Sequence, residues 1–263
     1  MQALFYPESP LHRQYTLKTL FERLGYAITL DLNDPFDFAV SWMNRTWVPS
    51  YAFLDDVALT KPVLNLRCTD ISKEYVDTLF NDVFGYSAAI DPMTYRGRAV
   101  KKSNENAWGR GRFVECPIRR RRKRYVYQQF IDTTENGLTA EYRTPIILGA
   151  IPMVFILRKA MPARVVKTKT QRFDIVDPCE VFTPEECDDI LAFCRRIGLD
   201  VGELDILRSK HDGRIYILDA NKTTVGLPGG GKGLEEEVAR LSETFDQGIQ
   251  ALLQAKLIPQ KTG

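Results

Sequence analysis

Histidine is scarce in this sequence, and its cysteines show no metal-binding pattern. Of the 263 residues only His12 and His211 are histidines, and none of the five cysteines forms a Cys-x-x-Cys pair. A histidine-rich metal site or a Cys–His nucleophile pair therefore has almost no material. An odd number of cysteines without that spacing is typical of free thiols in a reducing compartment, not of a disulfide framework.

Long hydrophobic runs are also missing. No apolar stretch approaches the roughly 18 residues that span a bilayer, and residues 1–10 lack the basic segment and apolar run of a signal peptide. We therefore expect a cytoplasmic protein without a membrane partner. The 36 Lys and Arg exceed the 34 Asp and Glu by only two, so the overall charge neither requires nor excludes a polyanionic partner.

The residues that are present indicate a folded chain of α/β and α+β type. Hydrophobic residues make up 44% and charged residues 27% of the chain, which is close to the globular average and excludes disorder as the main state. In residues 1–66, short apolar runs alternate with helical patterns and predict a small α/β unit. From Arg98 onward, longer runs rich in Val, Ile, Tyr and Phe predict a mostly antiparallel sheet.

The most informative stretch is Gly202–Asn221, with the sequence GELDILRSKHDGRIYILDAN. Two strand patterns flank the His-Asp-Gly tripeptide at 211–213. A three-residue loop that ends in a left-handed glycine is a common hairpin connection, and it would pair Lys210 with Arg214. Counting outward then gives the register of the whole hairpin.

In this register four polar side chains share one face of the hairpin. Asp205 lies opposite Asp219, and Glu203 lies opposite Asn221. Carboxylates that face each other across two strands repel, so a cation is expected between them. Hard oxygen ligands without His or Cys suit Mg²⁺ or Mn²⁺.

An ordinary solvated hairpin remains an alternative. A two-residue turn at Asp212-Gly213 would shift the register by one residue. That shift would send Asp205 and Asp219 to opposite faces and would leave no metal site.

A lysine upstream could hold the anionic substrate that such a metal needs. Lys102 ends a predicted strand on the same face as Val100, and a loop containing Gly109 and Gly111 follows, whose backbone N–H groups could contact phosphates. The alternative is a solvated lysine at a strand end.

The order of these segments resembles that of the ATP-grasp superfamily. The segments are DISK with Lys73, FGYSAAIDP, RAVKKSNENAWGRG, YVYQQFID, EYRTPIILG, GLDVGELDILR and IYILDANKTT. The resemblance covers about residues 68–230 and is strongest in the Asp-then-Asp-x-Asn pattern. It implies an ATP-grasp fold with a small N-terminal Rossmann-like unit (1–66), a small lobe with a phosphate flap (67–127) and a large lobe with the metal site (128–263).

The resemblance also implies which residues hold ATP. Lys73 and Lys102 would contact its phosphates, the 103–111 loop would close over them, and the linker strand from Gln128 would read adenine through its backbone. Gln129 or Asp132 would lie near the ribose. The implied nucleotide contacts are Lys73, Lys102, Ser103, Gly109, Gly111, Gln128, Gln129, Phe130, Ile131 and Asp132.

By the same resemblance, Asp205, Asp219 and Asn221 would bind Mg²⁺ or Mn²⁺, and Arg143 and Arg158 would stabilise phosphoryl transfer. The implied reaction is ATP-dependent activation of a carboxylate as an acyl phosphate, which an amine or similar nucleophile then attacks. The acceptor would be a small molecule or a peptide. A small-molecule kinase and a non-catalytic nucleotide-binding module remain alternatives, and a homodimer stays open.

Two further segments are ambiguous. The run GLPGGGKG at 226–233 nearly matches a P-loop, but Gly233 replaces the hydroxyl residue, so an acceptor-binding or surface loop is the better interpretation. The basic run at 119–124 is most simply a solvated surface, and attraction of phosphate, of an acidic substrate or of nucleic acid is the alternative. Since no base-stacking aromatics are interleaved with it, we do not predict a nucleic-acid partner.

Overall fold

The computed structural model describes residues 1–106, 111–160, 170, 172–227 and 234–257. Three β-sheets and five α-helices form this part of the chain. None of its helices is long and apolar enough to cross a membrane. The Gly109 and GLPGGGKG predictions fall at least partly on residues 107–110 and 228–233, which lie outside the described residues.

The N-terminal unit is a four-stranded parallel sheet in the order β2-β1-β3-β4. Helix α1 ends at Gly25, which takes the left-handed conformation that permits a tight stop. The elements are β1 (Gln2–Pro7), α1 (Thr16–Leu24), β2 (Ala27–Thr29), β3 (Phe38–Trp42), α2 (Ala52–Ala58) and β4 (Val63–Leu64).

A helix and a small antiparallel sheet follow. The order of this sheet is β6-β5-β7. Strand β6 was not anticipated from the sequence, because its five residues follow directly on the predicted flap loop. The elements are α3 (Lys73–Phe84), β5 (Gly97–Ser103), β6 (Arg112–Cys116) and β7 (Tyr125–Gln129).

The largest sheet is antiparallel, in the order β11-β10-β9-β12-β13, with β8 paired to β9. Helix α4 begins with the Thr183–Glu186 capping box and ends at Gly198, as its sequence indicates. The elements are β8 (Thr134–Glu135), β9 (Leu138–Ile147), β10 (Val154–Ala160), β11 (Arg172–Val176), α4 (Pro184–Ile197), β12 (Val201–Arg208), β13 (Ile215–Asn221) and α5 (Glu235–Leu257).

The β12–β13 hairpin corrects one expectation. The three-residue loop is wrong: Ser209 N donates to Arg214 O at 2.9 Å, so four residues form the connection. Ile206 then pairs with Ile217 while Asp205 pairs with Asp219, which leaves Leu218 as an extra, bulged residue. The bulge offsets the one-residue shift of the loop, so the carboxylates face each other as predicted, although by a different route.

The two faces of the large sheet have different covers. One face packs against α3 and α4, and its core includes Leu204, Ile206 and Phe193. On the other face, Phe155 and Leu157 pack in one core with residues of the N-terminal unit and α5. This second face also carries Asp205 and its neighbours, beyond the reach of that core, and the candidate site lies there.

Candidate active site

Three adjacent strands of the large sheet bring charged side chains together. Across β12 and β13, Asp205 pairs with Asp219 and Glu203 with Asn221. Across β9 and β12, Arg143 pairs with Asp205. Because side chains alternate between the faces of a strand, all five project from the same face.

Arg143 is the positive centre of this face. Its Nε atom lies 3.1 Å from Glu203 Oε1 and 3.5 Å from Asp205 Oδ1. Its Nη2 atom lies 3.8 Å from Glu141, whose carboxylate also pairs with Lys159 Nζ at 3.0 Å. Positive and negative groups therefore alternate across β10, β9 and β12.

The carboxylates nevertheless remain crowded. Burial raises the pKa of Glu203 to about 8, although Arg143 opposes the rise. Burial and Glu141 raise the pKa of Asp205 to about 7, with Asp219 adding to the effect. Burial also raises the pKa of Asp219. A further cation at this face would relieve the repulsion that these shifts express.

Two lysines approach Asp219 from helix α3 and strand β5. Lys73 begins helix α3, and its Nζ atom lies 3.6 Å from Asp219 Oδ2. Lys73 is only 8% exposed and also donates to Asn106 Oδ1 at 2.9 Å. Lys102 on β5 opposes the rise in the pKa of Asp219 as well, so it faces the same site. The structure thus brings together Lys73, Lys102 and the carboxylates.

A cleft of about 600 Å³ is lined by Arg143, Glu203, Asp205, Asp219 and Asn221. Asn106 closes one side: its Nδ2 atom donates to Ala220 O at 3.0 Å, and its backbone N donates to Thr46 Oγ1 at 2.8 Å. The loop after β3 forms another wall with Arg45 and the half-exposed Trp47. The N-terminal unit therefore contributes directly to the site.

The donor set fits a hard divalent cation. Asp219 Oδ1 is buried without a hydrogen-bond partner among the described residues, as expected of an atom that a metal ion would engage. Asn221 Oδ1 accepts from Thr223 N at 3.0 Å and keeps a second lone pair. No three His, Cys, Asp or Glu side chains in the described ranges form a metal-binding group, so nucleotide phosphates would have to complete the coordination.

The structure does not bring Arg158 to the cleft. Residues of β10 alternate, and Arg158 lies on the opposite face from Arg143, where it pairs with Asp174. Lys159 is the β10 cation on the cleft side, and its charge opposes the rise in the pKa of Asp205. The sequence resemblance indicated Arg158 instead of its neighbour Lys159. Lys159 lies two residues after the core residue Leu157 and therefore on the same face of β10, which is the pattern that could have identified it.

The predicted linker strand is mostly engaged in internal contacts. Gln128 is 3% exposed, and its Oε1 atom lacks a partner among the described residues. Gln129 Nε2 donates to Ser87 O at 3.1 Å, and Phe130 N donates to Arg98 O at 3.3 Å. Ile131 is buried in the core beneath α3 and α4.

Asp132 is paired within the protein, and its contact with a nucleotide stays a prediction. Its Oδ2 atom lies 2.6 Å from Lys210 Nζ, and its Oδ1 atom accepts from Thr134 N. Burial alone would raise the pKa of Asp132, but these partners lower it to about 2. The carboxylate therefore joins the linker to the β12–β13 hairpin.

The flap is described only at its two ends. Ser103 Oγ accepts from Glu105 N at 3.2 Å, which shapes the turn after β5. Gly111 directly precedes β6. Sequence reasoning did not single out Asn106, although it is the flap residue that contacts both Lys73 and β13.

Comparison with solved structures identifies the fold. No family model and no curated protein matches the sequence. Solved structures, however, match nearly the whole chain, and they are ATP-grasp ligases. The chain has the ATP-grasp fold, and the resemblance found in the sequence is confirmed at that level.

Three of these structures illustrate the match. The ATP-grasp ligase PsnB in complex with minimal precursor, Mg and ADP has a TM-score of 0.61 at 12% identity, covering 95% of this chain and 98% of PsnB. D-alanine–D-alanine ligase from Bacillus anthracis in complex with ATP has a TM-score of 0.56 at 13% sequence identity, and the match covers 97% of this chain and 98% of that ligase. The third is the macrocyclase MdnC from Microcystis aeruginosa, bound to precursor peptide MdnA. Its TM-score is 0.52 at 12% sequence identity, and the match covers 97% of this chain and 100% of MdnC.

Proposed function

We propose that this chain is an ATP- and Mg²⁺-dependent ligase. It would activate an acceptor carboxylate as an acyl phosphate, which an amine or similar nucleophile then attacks. The observation that carries this proposal is the set of facing carboxylates, Asp205 and Asp219, with Lys73 within 3.6 Å and Asp219 Oδ1 buried without a partner in the described part of the chain. The ligase structures that share the fold support it.

The proposed nucleotide site lies between the small and large sheets. Lys73 and Lys102 hold the phosphates, and the 103–111 flap covers them. The adenine lies against the linker, residues 128–131, with Gln129 as the ribose contact in place of Asp132, because Lys210 already occupies the carboxylate of Asp132.

Asp205, Asp219 and Asn221 would hold Mg²⁺ or Mn²⁺, which when bound neutralises charge on the phosphates. Arg143 keeps Asp205 in place and presents its remaining N–H groups to the cleft, where negative charge develops during phosphoryl transfer. No side-chain nucleophile is required, because positioning and charge stabilisation suffice for this transfer.

The acceptor would enter from the N-terminal unit. Arg45 and Trp47 line the cleft there, and an arginine is suited to hold a carboxylate. PsnB and MdnC are bound to precursor peptides in their structures, so a peptide and a small carboxylic acid are both suitable acceptors. We propose the divisions 1–66, 67–127 and 128–263 as the acceptor unit and the two ATP-binding lobes.

The first test is thermal unfolding with no ligand, with ATP, and with ATP plus Mg²⁺. A ligand at about 100 times its dissociation constant adds roughly 2.7 kcal/mol of stability, which corresponds to a rise in Tm of about 5 °C or more. In the wild type and in Asp212→Asn at the hairpin tip, we expect Tm to rise with ATP only when Mg²⁺ is present. In Asp219→Asn we expect no such Mg²⁺-dependent rise. An equal rise in all three proteins would contradict the site.

The second test distinguishes ligation from other outcomes. Candidate acceptors carrying heavy oxygen in the carboxylate are incubated with ATP, Mg²⁺ and a mixture of amines. A ligase transfers one heavy oxygen to inorganic phosphate, because the amine attacks the acyl carbon and the phosphate leaves with the bridging carboxylate oxygen. A kinase leaves the phosphate on the product, and a binding module releases no ADP that depends on the acceptor.

A further inference from the structure

A second charged pocket lies on the three-stranded sheet, on the face that points away from Asp219. Because residues alternate along β5, Lys102 faces Asp219 and Lys101 faces the other way. On that side Lys101 lies directly opposite Arg112 of β6. Segment 117–124, which connects β6 to β7, supplies the other wall of an open pocket of about 360 Å³.

The side chains around this space are cationic without a matching acid. Its four cations are Lys101, Arg112, Arg120 and Arg122, and no acidic residue among those that the structure describes lines it. The nearby acids are used elsewhere, since Glu115 pairs with Arg98 and Glu74 with Arg121. Within the described residues, none of the four cations forms an ion pair with a carboxylate.

This arrangement has an electrostatic cost. Like charges directly opposite each other on neighbouring strands destabilise the pair. Burial, with the nearby charges of Arg122 and Arg112, lowers the pKa of Lys101. The only compensation described for Lys101 is the ring of Tyr125, 3.9 Å from its ammonium. An anion from outside the chain would remove the repulsion.

The geometry indicates the class of anion. Guanidinium groups bind phosphate oxygens in a bidentate manner and supply three of the four cations. The cations come from β5, β6 and the connecting segment, so they surround one compact ligand. The ring of Tyr125 is covered by Lys101, and that of Phe113 packs against Arg98 and Phe130. Tyr127, which also lines the space, is only 3% exposed, so the aromatic residues that line it offer little ring surface for stacking of nucleic-acid bases.

We propose that this pocket binds a compact small-molecule anion with at least two phosphate groups, at a site separate from the proposed ATP cleft. The two sites share strand β5, on which Lys101 and Lys102 are neighbours with opposite orientations. The proposal is independent of whether the cleft performs ligation.

The test is a calorimetric titration with tripolyphosphate in the presence of a chelator, so that no divalent cation is available to the cleft. Arg112→Gln and Arg122→Gln should each weaken binding by about tenfold, since each removes a charge-assisted contact. Arg119→Gln removes the same charge from the same segment but outside the pocket. It should change affinity by less than about twofold.

Other outcomes would overturn the proposal. If Lys102→Gln abolishes binding and Arg112→Gln does not, the anion occupies the cleft. If a polyglutamate peptide or single-stranded RNA binds more tightly, and Arg119→Gln weakens it as much as Arg112→Gln does, the region is an extended polyanion surface. Absence of binding at millimolar tripolyphosphate would also refute the site. Thermal unfolding of each variant checks folding, and a marked fall in Tm for Arg112→Gln would indicate a structural role instead.

Discussion

Two regions of this molecule place like charges opposite each other across neighbouring strands, and they differ in how that charge is balanced. On the large sheet, Asp205 faces Asp219. Arg143 Nε lies 3.5 Å from Asp205 Oδ1, and Lys73 Nζ lies 3.6 Å from Asp219 Oδ2. On the three-stranded sheet, Lys101 faces Arg112 without a described carboxylate partner. The first region is held by ion pairs within the chain, whereas for the second we propose an anion from outside the chain. Substitutions should therefore have large effects in the first region and small effects in the second.

The largest effect is expected for Asp219→Asn. Loss of the charge of this proposed metal ligand should lower ATP turnover by about 100-fold or more, in the range found when a charge-stabilising group is removed. Release of ADP in the presence of Mg²⁺ and an acceptor measures this. Asp212→Asn is the matched control at the hairpin tip, and turnover of Asp219→Asn within about threefold of the control would break the comparison.

Arg143→Gln should destabilise the fold itself. The substitution leaves Glu203 and Asp205 without their nearest cation, which we expect to lower the free energy of unfolding by about 2–3 kcal/mol and Tm by roughly 5–10 °C. Thermal unfolding measures the change. Adding Glu203→Gln should restore part of the loss, and a double variant no more stable than the single one would argue against charge balance as the cause.

Lys159→Gln and Arg158→Gln test which face of β10 serves the cleft. Lys159 contributes positive charge near Asp205 and holds Glu141, so we expect its loss to reduce turnover by about tenfold, equivalent to about 1.4 kcal/mol. Arg158 pairs with Asp174 on the opposite face, and its loss should reduce turnover by less than about twofold. The reverse ranking would show that the opposite face matters for catalysis.

Asp205→Asn should stabilise the ligand-free protein in a pH-dependent way. Burial and Glu141 raise the pKa of Asp205 from 3.8 to about 7, so wild-type stability falls as pH rises between these values. Asparagine has no proton to lose. We expect a gain in Tm of about 2–4 °C near pH 8 and almost none near pH 4. An equal gain at both pH values would contradict the shifted pKa.

Arg112→Gln should have the smallest effect. Without a bound anion it relieves repulsion of Lys101, so Tm should stay constant or rise by about 1 °C at low ionic strength. Salt should abolish the difference, because this region is solvent-exposed. A fall in Tm of several degrees would show that Arg112 is needed for the fold. The charges of both regions would then be balanced within the chain.

The hairpin shows how far sequence reasoning reached. Counting outward from a three-residue loop placed Asp205 opposite Asp219, and the structure has this pair, but two deviations from the expected hairpin cancel. The loop has four residues instead of three, and the bulge at Leu218 compensates. Bulges depend on packing across the whole sheet, so a count outward from the turn could not have anticipated this one.

Arg158 and Asp132 show where local sequence was insufficient. The face on which Arg158 lies depends on which residues of β10 point into which core. Leu157 packs in the core formed with the N-terminal unit and α5, so Arg158 points to the other face of the sheet. The partner of Asp132 is Lys210, which is 78 positions away in the chain. Contacts of such separation are formed by tertiary folding and leave no local pattern.

By itself, the sequence determined most of the helices and strands and the resemblance to ATP-grasp proteins, because periodicity and turn residues are local properties. Only the tertiary structure decided that Asp205 and Asp219 face each other across a bulged hairpin, that Asn106 and the loop after β3 line the cleft, and that Lys101 lies opposite Arg112. The physical reason is that charge balance and burial depend on distances between distant segments, which the folded chain alone establishes.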